Sequence, residues 1–174
     1  ELLKDAGYPD GKGLKFTIMT ETGAEDYKKV AELFQNDMKE LGIQIDIQVV
    51  AWATIKDMLS SAETAPDMFI SGFYPDYLDP DNVLCAMFHS DSIGQINQTF
   101  NIIKEVDDML SEARRSTDEK HRIELYKQVQ QIINEEAVNV FILIRDSITS
   151  MRSWVKGFQF HPIVSPRFYY MYKE

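Results

Sequence analysis

The sequence predicts an α/β fold in which a mixed, mostly parallel sheet is flanked by helices. Two observations predict it: strand-like alternation on both sides of a helical stripe within residues 14–49, and a continuous apolar run at 138–144. Apolar residues at every second position are typical of strands, and spacings of three and four are typical of helices. Strand, helix and strand in so short a stretch favour a βαβ unit with parallel strands.

The predicted βαβ unit begins with the alternating segment Leu14 to Ile18. A helical stripe follows, made of Tyr27, Val30, Phe34, Met38 and Leu41. Gly42 comes where a glycine commonly ends a helix. The second strand alternates apolar and polar residues from Ile43 to Val49.

Four shorter elements are predicted in the middle of the chain. A short helix has one apolar face, formed by Ile55, Met58, Leu59 and Ala62. Residues 67–73 form a third strand, and a helix runs from about residue 82 to 89. Residues 93–101 show neither period and are expected to be irregular.

Two longer helices and a strand are predicted next. The first helix carries Ile103, Val106, Met109, Leu110 and Ala113. Ser116 to Glu119 has the S-x-x-E form of a capping box, which opens a helix. That second helix presents Ile123, Tyr126, Val129 and Ile133 on one face. The run 138–144 is apolar apart from Asn139, as expected of a buried central strand.

The last part of the chain is unusually aromatic. Seven aromatic residues occur between Trp154 and Tyr172, and Pro162 and Pro166 interrupt the segment. A surface with so many aromatic side chains is expected to be buried against another part of the protein or against a partner. Either the tail packs on the sheet of this domain, or its partner lies outside this chain.

Composition narrows the class of protein. The 174 residues suit one domain, and 44% hydrophobic with 26% charged residues is ordinary for a globular protein. A net charge of −10 argues against nucleic acid and anionic membrane surfaces as partners. One cysteine, Cys85, excludes an internal disulfide. The start at Glu1 shows neither an initiator methionine nor a signal peptide, so we expect a chain cut from something longer.

The segment 72–82, GFYPDYLDPDN, has the most distinctive chemistry. It holds three aromatic and three acidic residues, and two prolines stiffen it. Aromatic faces beside carboxylates suit a ligand with an apolar body and a positive end. A surface turn with solvated acids is the alternative interpretation.

Three other functions compete with such a binding loop. Asp76, Asp79 and Asp81 could supply the carboxylate pair of a glycoside hydrolase, or hard oxygen ligands for calcium. The EF-hand spacing is absent, and so are a nucleophile elbow, a Walker loop and a zinc motif. We therefore expect neither an enzyme nor a metal site. A plain interaction domain is the third competitor, suggested only by the acidic surface and the aromatic tail.

Five motifs in order resemble the oligopeptide- and dipeptide-binding family of extracellular solute-binding proteins of ABC transporters. The segment LLKDAGYPDG at 2–11 is similar to the family's "LLKEAGYPDG". Leu41-Gly42-Ile43, the following strand and Trp52 resemble its "LGI" segment with a tryptophan. The other three motifs are FYPDYLDP at 73–80, the helices with Asp107 to Ala113, Asp118, Arg122 and Leu125-Tyr126, and WVKGF at 154–158.

The resemblance implies a periplasmic-binding-protein type II lobe. Full members of the family are longer and have two lobes that close on the ligand. The chain 1–174 would then be a single fragment. Within it, residues 14–146 would form the second ligand-binding lobe, and residues 147–174 would return to the missing first lobe.

The resemblance also implies roles for individual residues. Asp76 matches the family aspartate that receives the peptide ammonium, although it could instead merely cap the following turn. Trp52 matches a tryptophan that lines the ligand cavity, with a core residue opening a helix as the alternative. Phe73 replaces the family's usual tryptophan, and Tyr74 and Tyr77 are further candidates for ligand contact.

Other nearby residues are expected to have different roles. Asp79 and Asp81 should shape the turn and cap the next helix. Ile70 departs from the arginine of some oligopeptide binders, which leaves the subclass open.

The implied function is capture of oligopeptides or dipeptides for an ABC importer. The expected partners are a peptide, the permease subunits and the missing first lobe, and no cofactor is expected. The expected location is extracellular or periplasmic, with a lipid anchor outside this chain as one option. A non-peptide solute such as a nickel complex or a sugar is the alternative ligand.

Overall fold

A computed structural model describes residues 1–163 and 167–174, and it divides the chain into two compact units. The first unit comprises Glu1–Phe73 and Ile93–Phe100. The second unit comprises Tyr74–Ser92 and Asn101–Glu174. The assignment of residues 14–146 to one ligand-binding lobe stays a prediction.

The first unit contains the predicted parallel sheet. Its elements are α1 (Leu2–Asp5), β1 (Lys15–Glu21), α2 (Glu25–Glu40), β2 (Gln44–Val50), α3 (Trp52–Met58) and β3 (Met68–Phe69). The strand order is β2-β1-β3, and both pairings are parallel. The βαβ unit predicted for residues 14–49 is therefore confirmed.

Helix α2 packs its apolar face on this sheet. The buried residues of this core are Ile18, Ala31, Ile43, Ile45 and Ile70. The helix ends at Glu40, and two residues later Gly42 has a φ of 78°, in the left-handed region that glycine adopts without a steric penalty. The Gly42 amide donates to Lys39 O, and the Ile43 amide donates to Met38 O. This is the predicted glycine-terminated helix end, in the form of a Schellman motif.

The third strand is shorter than the predicted span 67–73. Only Met68–Phe69 pairs with β1 as a strand, although the Ile70 amide still donates to Met19 O. Before the strand, the Asp67 carboxylate accepts a hydrogen bond from the Thr17 amide at 2.8 Å. A side chain thus replaces a backbone carbonyl as the hydrogen-bond acceptor at this point.

The second unit is built on three helices and a small antiparallel pair. Its elements are α4 (Pro80–Phe88), α5 (Lys104–Arg115), α6 (Glu119–Glu135), β4 (Val155–Lys156) and β5 (Tyr172–Lys173). The helices enclose an apolar core formed by Leu84, Cys85, Phe88, Val106, Leu110, Ala113, Leu125, Tyr126, Val129 and Ile133. The irregular segment predicted between α4 and α5 is also observed.

Two details predicted for α6 are wrong. The helix is capped by Asp118, whose carboxylate accepts from the amides of Lys120 and His121, and not by Ser116 in a capping box. Ser116 Oγ instead accepts from the Asp118 amide, because the chain is still extended there. Ile123 is 45% exposed, and Leu125 takes a place in the core in its stead.

The buried central strand predicted at 138–144 is wrong for this chain. The segment is not a strand, and residues 140–144 are all exposed, Ile144 almost completely. A strand needs a neighbour to receive its hydrogen bonds, and no described residue pairs with this segment.

The aromatic tail is also largely exposed, which argues against packing on a sheet of its own domain. Its most exposed rings belong to Phe160, Phe168 and Tyr169. A partner outside this chain stays a prediction. Pro166, the second proline of the tail, lies outside the described residues. Over the described part of the chain, no helix combines the length and the apolar character needed to cross a bilayer.

Candidate functional site

The acidic and aromatic loop predicted from the sequence joins β3 to α4, and its second half is held by local hydrogen bonds. The Asp76 amide donates to Asn82 Oδ1 at 2.7 Å. The Asp79 amide donates to Tyr77 O at 3.0 Å. Pro80 takes the first helical position, where its missing N–H removes no helical hydrogen bond. The backbone of residues 76–79 is therefore tied to the first turn of α4.

Asp79 is the N-cap of α4, as predicted. Its φ of −143° and ψ of 140° are extended, and Oδ1 accepts from the Asp81 amide at 2.9 Å. The same carboxylate receives Arg122 Nη2 at 3.0 and 3.2 Å on its two oxygens. Asp79 thus satisfies a free helix amide and pairs with a guanidinium from α6.

Asp81 does not cap the helix but lies inside its first turn, where it is 8% exposed. Three side chains make four contacts with its carboxylate. Tyr77 OH donates to Oδ2 at 2.9 Å, and Cys85 Sγ donates to Oδ1 at 3.0 Å. Arg114 contributes Nε to Oδ1 at 3.0 Å and Nη2 to Oδ2 at 3.4 Å. A buried carboxylate that is paired and hydrogen-bonded in this way can stay ionised.

The ionisation of these groups follows from their surroundings. Burial raises the pKa of Asp81, but the hydrogen bonds from Cys85, Tyr77 and Arg114 outweigh it, so the pKa lies below its usual range. Burial, followed by the hydrogen bond to Asp81, raises the pKa of the Cys85 thiol to about 12. The hydrogen bond to Asp81 is the main cause that raises the pKa of Tyr77. At neutral pH this cluster therefore holds one carboxylate, one guanidinium, a neutral thiol and a neutral phenol.

Asp76, the predicted ammonium anchor, is exposed. Its amide is held by Asn82, whereas its carboxylate makes no hydrogen bond or ion pair with any described residue. Tyr74 on the same loop is 78% exposed. Tyr77 is half exposed, and its hydroxyl is engaged by Asp81. The loop thus presents, beside two accessible rings, one carboxylate that has no partner in the described ranges 1–163 and 167–174.

Trp52 and Phe73, the other two predicted site residues, belong to the first unit. Trp52 opens α3 and is 39% exposed. Ile55 and Leu59, not Trp52, supply the buried face of that region. Phe73 is half-buried at the end of the unit. Trp52 therefore opens a helix but is not the core residue that the alternative interpretation required, and its contact with ligand stays a prediction.

Ile70, noted in the sequence as a departure, lies in the apolar core of the first unit. Its aliphatic side chain therefore serves packing at this position.

The groups that hold the loop were not predicted from the sequence. Arg114 received no role, and Arg122 appeared only as part of a family motif. Asp79 and Arg122 are 43 residues apart, and Asp81 and Arg114 are 33 apart. Periodicity gives no information about contacts between residues so far apart in the sequence. An Asp-Pro-Asp helix start does predict carboxylates at the positive end of the helix dipole, where they are available to pair with cations.

The carboxylate pair of a glycoside hydrolase and a calcium site, the two alternatives considered for these aspartates, fit their surroundings poorly. Asp79 and Asp81 each face a guanidinium, which repels a calcium ion. At Asp81 the surrounding hydrogen bonds also lower the pKa, which disfavours the protonated form that a general acid needs. Among the described residues, no group of three or more His, Cys, Asp or Glu side chains is arranged to hold a metal.

Comparison with protein families identifies relatives. A model of the bacterial extracellular solute-binding proteins, family 5, middle region, matches residues 1–95. Di/tripeptide-binding protein 1 of Pseudomonas aeruginosa is 30% identical over 171 residues, which cover 97% of this chain and 32% of that protein. Heme-binding protein A of Haemophilus influenzae is also 30% identical, over 97% of this chain and 30% of its own length.

Solved structures agree with these matches. The ABC transporter-associated periplasmic binding protein DppA from Helicobacter pylori, in complex with the peptide STSA, superimposes with a TM-score of 0.79. The identity is 30%, and the alignment covers 99% of this chain and 33% of that one. The predicted periplasmic-binding-protein fold is therefore confirmed.

This chain spans about a third of the length of these relatives. The family model covers more than half of it. The chain belongs to the bacterial extracellular solute-binding proteins of family 5.

Proposed function

We propose that the whole protein captures short peptides outside the cytoplasm and delivers them to the permease of an ABC importer. Membership of a solute-binding family supports binding rather than catalysis. A relative named for di- and tripeptides and a similar structure in complex with a peptide support a peptide as the solute.

The Asp76 carboxylate is the observation that carries this proposal. It has no hydrogen-bond or ion-pair partner among the described residues, while its own amide is fixed by Asn82. An acidic side chain on a fixed backbone and without such a partner suits a cationic ligand group. A peptide ammonium would meet it through a charge-assisted hydrogen bond, which is worth roughly 1.5–3 kcal/mol.

Aromatic side chains would contact the apolar parts of the peptide. Trp52, Tyr74 and Tyr77 each expose a large share of their surface, and Phe73 is half-buried. Rings provide apolar contact area with few rotatable bonds to immobilise. Phe73 offers such a face without the indole donor of a tryptophan.

Further partners belong to the same proposal. The exposed apolar residues of segment 140–144 support a first lobe, outside this chain, that covers them in the whole protein, with 147–174 returning to that lobe. Ligand would shift the open and closed forms of the two-lobed protein, and the closed form would dock on the permease. The location would be extracellular or periplasmic, with or without a lipid anchor.

The test is calorimetry on the whole protein with an alanine tripeptide and its N-acetylated form. Acetylation removes the ammonium and leaves the rest of the peptide. We expect the wild type to bind the free peptide more tightly, and Asp76→Asn to lose about 10- to 100-fold in affinity for it. The variant should bind the acetylated peptide about as well as the wild type does.

Asp37→Asn is the matched control, because Asp37 is an exposed aspartate on α2, outside the Asp76 loop. It should leave both affinities unchanged. Equal affinity of the wild type for free and acetylated peptide would refute the anchor. Binding of a nickel complex, a sugar or heme in place of any peptide would refute the peptide as solute.

A further inference from the structure

We propose that Arg114 and Arg122 are positioning residues that hold the Asp76 loop in its binding geometry. This inference rests on the proposed function, because it assigns a role to the support of the same anchor. The observation behind it is that two guanidinium groups, from two different helices, pair with two carboxylates in the first turn of α4.

The first link joins α6 to the start of α4. Arg122 Nη2 donates to both oxygens of Asp79, at 3.0 and 3.2 Å, and to Tyr126 OH at 3.1 Å. Its Nε donates to Ala113 O at 3.0 Å, near the end of α5. Four hydrogen bonds from one planar group fix the guanidinium in direction as well as position. A lysine, with its single charged nitrogen, cannot reproduce this set.

The second link joins α5 to the same helix turn. Arg114 lies in the last turn of α5, and its guanidinium makes two contacts with the Asp81 carboxylate. Asp81 is only 8% exposed, so a missing cation would leave a buried charge poorly compensated. The two arginines therefore link α5 and α6 to the N-terminal end of α4 through two separate carboxylates.

The same helix turn holds the Asp76 loop. Asn82 Oδ1 accepts the Asp76 amide at 2.7 Å, and Asp81 Oδ2 accepts the Tyr77 hydroxyl at 2.9 Å. The Asp81 carboxylate thus contacts both Arg114 and the loop tyrosine, which share its Oδ2. A shift of this turn would displace Asp76 directly, because two of the links that hold the loop end on it.

Stability alone is the competing role for the two arginines, since α4, α5 and α6 also share an apolar core. The two roles differ in what they predict for ligand. Support of the core alone would affect every peptide equally. Positioning of Asp76 would affect only the part of the affinity that depends on the peptide ammonium.

The experiment measures affinities of the whole protein for the alanine tripeptide and its N-acetylated form, with Arg122→Gln, Arg114→Gln and each combined with Asp76→Asn. We expect each glutamine variant to lose about tenfold for the free peptide and less than about twofold for the acetylated one. In the Asp76→Asn background the same substitutions should cost almost nothing further.

Lys104→Gln is the matched control, since it removes one positive charge from α5 at an exposed pair with Asp108. It should leave both affinities unchanged. Where a glutamine variant fails to fold, Arg122→Lys and Arg114→Lys carry the same test, because they retain the charge but lose the guanidinium fork. Melting curves establish which variants are folded.

The outcomes separate this inference from the proposed function. Equal losses for free and acetylated peptide, or additive losses with Asp76→Asn, would overturn the positioning role while the anchor stands. No difference between the two peptides in the wild type would overturn the anchor, and the positioning role with it. Losses confined to the free peptide would establish both.

Discussion

The three aspartates of the loop show how one residue type takes three roles within six positions. Asp79 caps a helix and pairs with Arg122, and Asp81 is buried against Arg114. Asp76 alone has no side-chain partner among the described residues. Position relative to the helix start decides these roles, because the cap and the first turn each present specific amides and neighbours.

Cys85 is a second residue whose character depends on its surroundings. Its side chain is 3% exposed, and its Sγ donates to Asp81. Burial and that carboxylate raise the pKa of the thiol to about 12. Since the thiolate is the reactive form, this cysteine should be inert at neutral pH.

We predict that Cys85 in the folded chain does not react with Ellman's reagent at pH 8. After unfolding in guanidinium chloride, one thiol per chain should react at once, because the sequence holds a single cysteine. The absorbance of the released thiolate measures both. Rapid reaction of the native chain would contradict the burial and the hydrogen bond described above.

At the scale of elements, helix ends show how neighbouring polar residues compete for the same cap. Ser116 and Asp118 both precede α6, and a pattern of four residues favoured Ser116. The structure instead uses Asp118, which accepts from two amides of the first turn, at 3.0 and 3.3 Å. A carboxylate there also meets the positive end of the helix dipole.

We predict that Asp118→Ala lowers the free energy of unfolding by about 1 kcal/mol, the usual value of an N-cap. Ser116→Ala is the matched comparison, and it should cost at most about 0.5 kcal/mol, as expected outside the cap. Urea denaturation followed by circular dichroism measures both. A larger loss of unfolding free energy for Ser116→Ala than for Asp118→Ala would contradict this and support the capping box.

At the scale of the whole molecule, the chain carries more exposed apolar surface than a self-sufficient domain needs. Val140 to Ile144 are exposed, and so are Ile148 and most rings of the tail. Contiguous apolar surface of this kind marks an interface. The first lobe proposed above would provide the cover, and it would also supply the other half of the contacts with the ligand.

We predict that the 174-residue chain by itself folds but binds peptide weakly or undetectably. Its own loop supplies only part of the contacts with the peptide. The entropic cost of immobilising the peptide does not fall in proportion to the contacts that are lost. Calorimetry with the tripeptide, beside the whole protein as positive control, tests this. Micromolar affinity of the isolated chain would contradict it.

Local patterns in the sequence were enough to predict the elements and the family. The alternation around Ile18 and Ile45, the stripe on α2 and the glycine at its end all depend on neighbours a few residues away. The loop with Asp76 was also visible, because its prolines, acids and aromatics are adjacent in the chain.

Contacts between distant residues required the folded molecule. The pairings of Asp79 with Arg122 and of Asp81 with Arg114 join residues 43 and 33 positions apart. The burial of 138–144 was mispredicted for the same reason. An apolar run indicates that a segment is buried against something, but it does not identify the surface that buries it. Periodicity reports which face of an element is apolar, whereas partners across the fold depend on the path of the chain in space.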